Sequence, residues 1–293
     1  GATIPALILL AVAFAKFRDV SQIASVFQVV LNSSVLISLI LGILTVLIVI
    51  LSFRKGVDPD SIVGPTITTF ADMVSIPSLI LFILIVESFK YSLLITSFSA
   101  VILLLSFVYS MRGGERRAYR EVIVIVSLLP LIQSITGNIL EEFSQDIHRA
   151  IILSFAYPAV LGSVGNYGSI VVARTSTKLH LGELEKMSME VIKDSIYIFT
   201  TSFLIFPLII FASVLLSSYF GFVGKIGVFF IFAFFVVYLT IVFLVLFLSN
   251  LLSVLLYRKG VDPDNGGIPL ITTLSDVIST IAVVAVAKLS LIT

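Results

Sequence analysis

RKGVDPDSIVGPTITTFADMVS, spanning Arg54–Ser75, returns 204 residues later as RKGVDPDNGGIPLITTLSDVIS, Arg258–Ser279, with 13 of 22 positions identical. Each copy leads into a long apolar run that carries one aspartate, Asp72 in the first and Asp276 in the second. A carboxylate near the centre of a bilayer helix costs about 2.5–3.5 kcal/mol on insertion scales, so such residues are rare and usually functional. Finding the same one twice, behind the same loop, points to two carboxylates brought together across a pseudo-symmetry axis, as a cation site requires.

The rest of the chain supports a bilayer setting. Of 293 residues, 59% are hydrophobic and 12% charged, and mean hydropathy is +1.19. Soluble domains average about 25% charged residues. No stretch is left over for a separate soluble domain, and no nucleic-acid partner is expected. The absence of cysteine excludes thiolate metal sites, disulfides and thiol catalysis. Two histidines, His148 and His180, sit at the edges of apolar runs and offer little for soft-metal chemistry.

Nine apolar runs are long enough, or nearly so, to cross a bilayer: Thr3–Ala15, Ile23–Phe53, Val63–Val86, Ser92–Met111, Val122–Leu140, Ile151–Ala173, Ile196–Ser217, Val228–Tyr257 and Ile268–Ala287. Runs of this length lack the alternation of barrel strands, so the expected fold class is an all-α polytopic membrane protein. Placing both RKGVDPD loops on one side gives that side 12 basic residues against 6 opposite. The basic side is read as cytoplasmic and the C-terminus as external. Lys16 and Arg18 run against that assignment.

The repeat organises the helices. Residues 121–293 read as a complete five-helix unit closing on the Asp276 helix. Residues 1–88 read as a first unit that lacks its first two helices, with Gly1, not an initiator methionine, favouring truncation as the reason. Five is odd, so two directly fused units would point in opposite directions. The linker helix and basic loop within 89–120 supply one additional crossing, and the units are expected to be parallel about an axis along the membrane normal.

Within each repeat, the glycine after Arg-Lys and the proline of Asp58-Pro59-Asp60 or Asp262-Pro263-Asp264 read as a helix stop. The acidic groups read either as caps on the next helix or as a cation-attracting ring at the cytoplasmic mouth. Thr68 and Thr69 stand at i−4 and i−3 from Asp72, and Thr272 and Thr273 stand likewise to Asp276, so each trio shares a helix face. Hydroxyls beside a carboxylate form a hard-oxygen surface suited to Mg²⁺ or its water shell. Interhelical hydrogen bonding is the plainer alternative. The glycines of Pro158–Ser169 read as a small-residue packing seam, with Asn166 offering an amide oxygen inside the membrane. Glu141, Glu142 and Asp146 read as a solvated helix end or an external access site.

Gly165-Asn166, the ARTSTKLH run at Ala173–His180, and the DPD–P–TT–D pattern resemble the MgtE magnesium transporters, and still more the solute-carrier 41 magnesium transporters. The resemblance covers Val122–Thr293 well and Ile23–Val86 moderately. It implies five-helix units, paired as a homodimer in MgtE and fused in one chain in solute-carrier 41 proteins. It also implies Mg²⁺ as the transported substrate, Asp72 and Asp276 as the membrane aspartates, and Asn166 as a pore-lining residue. Two departures stand out: the first unit has no Gly-Asn segment, and Tyr167-Gly168-Ser169 replaces the usual continuation. MgtE's cytoplasmic sensor domains have no counterpart here, so gating through them is not expected. The expected function is transport of a hard divalent cation, with the lipid bilayer as surroundings, an internal pseudo-dimer, and a homodimer as a further option. A proton- or sodium-coupled carrier of another solute, or an intramembrane aspartyl protease, are the alternatives.

Overall fold

The computed structural model describes residues 20–87, 91–112, 116–182, 189–222 and 227–290; the expected span Thr3–Ala15 lies outside them. These residues form eight helices: α1 (Val20–Arg54), α2 (Pro59–Glu87), α3 (Ser92–Arg112), α4 (Arg116–Arg149), α5 (Ile151–His180), α6 (Met189–Tyr219), α7 (Val228–Arg258) and α8 (Pro263–Ser290). Among the described residues there is no strand. Seven of the eight helices are long and apolar enough to cross a membrane. The exception is α5, whose glycines, serines and Asn166 lower its hydropathy. Large apolar side chains such as Leu204, Phe211 and Phe243, each more than 60% exposed, line the outer faces, as lipid contact demands.

The chain divides into two compact units, one ending at Leu131 and one beginning at Ile132. In the first, α1 packs along α2 and more briefly along α3. Asn32 on α1, almost fully buried, donates from Nδ2 to Thr96 Oγ1 on α3 at 3.0 Å, and Thr96 passes its own proton to the Ser92 carbonyl. Within a membrane such cross-helix bonds contribute about 0.6 kcal/mol on average.

In the second unit α5 is the central element, packed against α8, α7 and α6. Its inward residues are mostly small or β-branched: Ala156, Val160, Val164, Val171 and Val172 are fully buried, with Leu153 the larger exception. A helix enclosed by other helices needs little lipid-compatible surface, so α5 can fall short of the hydropathy of the other seven. Tyr167, the departure noted above, faces the hydroxyl of Tyr238 on α7 at 3.2 Å. Tyr238 in turn stacks at a tilt on Phe206 of α6, centroids 5.2 Å apart.

The two RKG turns close alike. Gly56 and Gly260 both take left-handed backbone, φ 66° and 71°. In the first turn the Gly56 N–H donates to Phe53 O and the Val57 N–H to Ser52 O; in the second, Gly260 donates to Tyr257 O and Val261 to Leu256 O. These are the paired bonds of a glycine-terminated helix, at positions offset by the same 204 residues. A side chain at either glycine would be strained by the backbone alone.

Candidate functional site

In the second unit the glycine seam of α5 sets how closely α8 approaches. A Cβ built at Gly165 would lie 3.2 Å from Ser275 Oγ and 4.0 Å from Thr272 Cγ2. One at Gly168 would lie 3.0 Å from both Ile271 Cγ1 and Val245 Cγ1, and one at Gly267 only 2.8 Å from Val172 Cγ1. Tyr157 and Thr280 join hydroxyls at 2.9 Å. These pairs define an antiparallel α5–α8 register, which puts Asp276 level with Leu161–Ser163, about one helical turn from Asn166. Gly162 lies at that level, and a Cβ there would meet nothing within 4 Å. The seam is thus tight at Gly165 and Gly168 and leaves room at Gly162.

Asp276 is half-buried and lies 13 residues into α8, roughly 20 Å along its axis at about 1.5 Å per residue. Thr272 and Thr280, one turn to either side, continue its face. Thr272 Oγ1 donates to Ile268 O at 3.1 Å and Pro269 O at 3.0 Å. With its proton turned to the backbone, the hydroxyl oxygen has lone pairs left to accept from a cation's water shell. Thr273, 2% exposed, instead turns into the packed interior, so the trio read as one face is divided between an open and a buried side. Asn166 is half-buried on α5.

In the first unit Asp72 and Thr69 are exposed and Thr68 is half-buried. Thr68 Oγ1 donates to Pro65 O at 3.0 Å, the counterpart of Thr272 donating to Pro269, and Thr69 donates to the same carbonyl at 2.8 Å. The Thr68–Pro65 bond thus recurs at the same 204-residue offset as the turn, whereas Ser75 donates to Asp72 O at 3.2 Å and its counterpart Ser279 is buried with no partner among the described residues.

A cavity of about 430 Å³ opens at the α4–α5 end of the second unit, lined by Glu141, Ser144, His148, Ser154 and Tyr157 among others. Tyr157, bonded to Thr280 one turn from Asp276, lines this cavity. Sequence reasoning singled out Glu141 but not Tyr157 or Thr280, because a tyrosine before a proline in an apolar run carries no signal of what lies 123 residues on. It missed a second feature at the opposite end. Asp194 on α6 is 7% exposed and takes Lys178 Nζ at 2.6 Å and Arg174 at 3.3 Å, both from α5. Next to it, Asn250 on α7 receives Thr175 at 3.4 Å and donates to Ser195 at 2.7 Å. This buried polar belt ties α5, α6 and α7 together.

A bundle with seven helices long and apolar enough to cross a membrane among the described residues defines a multi-pass membrane protein. A family profile described as "MgtE: Divalent cation transporter" matches residues 1–83 and 157–286. The chain belongs to the MgtE family of divalent cation transporters, which are transporters rather than enzymes. The stretch between the two matched segments holds α3 and α4. Solute carrier family 41 member 2 of Mus musculus is 27% identical over 269 residues, 83% of this chain and 46% of that protein; the Homo sapiens protein of the same name is also 27% identical over the same shares. Solute carrier family 41 member 3 of Mus musculus is 27% identical over 288 residues, 89% of this chain and 58% of that protein. The chain spans about half the length of the relatives it matches. No solved structure matches it.

Proposed function

We propose that this protein carries a hard divalent cation, Mg²⁺ foremost, across the bilayer, with the cation as substrate rather than resident cofactor. One observation carries this reading: Asp276 sits at mid-helix on α8, half-buried, one turn from Thr280, which bonds Tyr157 of the α4–α5 cavity. A cation moving from that cavity passes Glu141, then Tyr157, then Asp276, and Asn166 lies one turn further on. Mg²⁺ sheds its water reluctantly, so lone pairs on Thr272 and the Asp276 carboxylate serve its hydration shell. Thr273 backs this face from the buried side.

Asp72, Thr68 and Thr69 supply the matching half. The 204-residue repeat, with the same turn bonds and the same threonine–proline bond in each copy, supports a paired site at a pseudo-twofold axis. In this reading 1–88 and 121–293 are parallel repeats joined through 89–120, the DPD loops are cytoplasmic and the C-terminus external, because basic residues gather on the DPD side.

The test is Mg²⁺ flux into proteoliposomes, with and without a sodium or proton gradient. Asp276→Asn and Asp72→Asn are each expected to lower flux at least about tenfold, given the energy of a membrane carboxylate. Flux unchanged in both removes the proposal. Uptake of an organic solute that Mg²⁺ does not compete with would favour a coupled carrier instead.

A further inference from the structure

Away from the membrane aspartates, a second cavity of about 400 Å³ lies between α6 and α7. Ile196, Phe199, Phe243 and Phe247 give it apolar walls, and Ser195 and Asn250 add the polar groups. That size, with few polar groups among apolar walls, is typical of a ligand site. Ile196, Phe243 and Phe247 are exposed, so the cavity opens on the outer face of the helix pair and not toward the packed interior. Phe199 and Phe243 meet edge-on between the helices, centroids 6.4 Å apart.

The polar groups leave one bond to be made. Asn250 is fully engaged: its Nδ2 donates to Ser195 Oγ at 2.7 Å and to Leu246 O at 3.0 Å, and its Oδ1 accepts from Thr175 at 3.4 Å. Ser195 Oγ accepts from Asn250, and among the described residues nothing takes the hydroxyl's own proton. A donor facing an apolar cavity is costly until an acceptor arrives. A transmembrane helix lying in the groove offers none, because its carbonyls are bonded within it. The ester carbonyl of a glycerolipid does, and an acyl chain suits the aromatic walls beside it.

Charge selects the headgroup. Lys193 follows Ile192, which lines the cavity. Arg258 lies eight residues past Asn250 on α7, about 12 Å along the axis, and helical side chains lean toward the N-terminus, here back toward the cavity. Both cations are exposed, and neither joins an ion pair among the described residues. The adjacent carboxylate, Asp194, is taken up by Lys178 and Arg174 of α5.

We infer that the α6–α7 cavity binds one anionic glycerophospholipid, with an acyl chain along Phe199 and Phe243, an ester carbonyl at Ser195 and the phosphate at Lys193 and Arg258. Basic pockets between membrane helices hold anionic headgroups in this way, and a guanidinium matches a phosphate through two parallel bonds. The lipid fastens the start of α6 to the end of α7, beside the polar belt that joins both to α5. The site involves neither Asp72 nor Asp276 and does not rest on the transport reading.

The test is native mass spectrometry of the full chain in detergent, titrated with phosphatidylglycerol, with phosphatidylcholine of the same acyl chains, and with glycerol phosphate lacking chains. The expected result is one phosphatidylglycerol retained about tenfold more tightly than phosphatidylcholine, and no retention of glycerol phosphate. Lys193→Gln combined with Arg258→Gln should remove that preference. Ile196→Trp, which fills the cavity from its exposed side, should abolish retention, whereas Leu204→Trp, on the outer face of α6 away from the cavity, should not. If Ile196→Trp fails to fold, the two exposed cations still decide the matter. Equal retention of both phospholipids, or a preference that survives loss of both cations, overturns the inference. Retention unchanged in a folded Ile196→Trp places the lipid elsewhere and overturns it as well. So does a dimer that Ile196→Trp dissociates while lipid binding persists, because a second copy then occupies the groove.

Discussion

Gly162 and Gly168 lie two turns apart on one helix and do opposite work. At Gly168 an added carbon would meet Ile271, Val245 and Ser249 at 3.0–3.2 Å. All three are fully buried and have nowhere to retreat. Gly168→Val is therefore expected to destabilise the protein by about 1–3 kcal/mol, the usual range for overpacking, seen as a lower midpoint of thermal unfolding in detergent. Gly162→Ala should leave that midpoint within about 0.5 kcal/mol, since nothing lies within 4 Å. Equal losses at both positions would mean that Gly162 has no room for a side chain. The two histidines differ in the same way: His148 sits by the α4–α5 cavity facing Ser154 at 3.2 Å, whereas His180 lies against Ser176 and beside Asp262 and Asp264. Their positions at the edges of apolar runs gave no reason to separate them.

At the scale of elements, Asp194 ties α6 to α5. Its carboxylate is 8% exposed, while Lys178 and Arg174 are 21% and 41% exposed. Removing one member of a buried pair leaves the others unbalanced, but solvent here recovers part of the loss on the basic side. Asp194→Asn is expected to cost about 1–3 kcal/mol, and Asp194→Asn combined with Lys178→Met should cost less than the sum of the two single changes. Strict additivity in the unfolding midpoints would show that the pair has no coupling. The polar link from Thr175 through Asn250 to Ser195 lies next to it, so a loosened α6 should expose Asn250 to hydrogen exchange sooner than Asn32.

At the scale of the whole molecule, the paired-carboxylate proposal makes a demand that chemistry can meet directly. The chain contains no cysteine, so Asp72→Cys with Asp276→Cys introduces the only two thiols. A short bifunctional thiol reagent is expected to join them within one chain, identified by mass spectrometry of the linked peptides. Links found only between chains would move the pairing to a homodimer. The absence of any link, with both thiols reactive to a monofunctional reagent, would mean that the carboxylates do not share a site.

Helix number and limits were largely readable from hydropathy, because a bilayer admits few alternatives to apolar runs of about 20 residues. The expected span Ile151–Ala173, for instance, lies within α5, Ile151–His180. The turns were readable too, since Gly56 and Gly260 stand where only a left-handed residue ends the helix. Membership in the divalent cation transporters rested on short polar motifs that stand out against an apolar background. Sequence could not say that Tyr157 meets Thr280, that Asp194 gathers Lys178 and Arg174, or that His180 comes beside Asp262 and Asp264. The first and last depend on how far α8 slides along α5, a register set by which glycines accept a neighbour's side chain, and the second on how α6 packs against α5. Periodicity records which face of a helix is apolar; only packed volumes decide what that face meets.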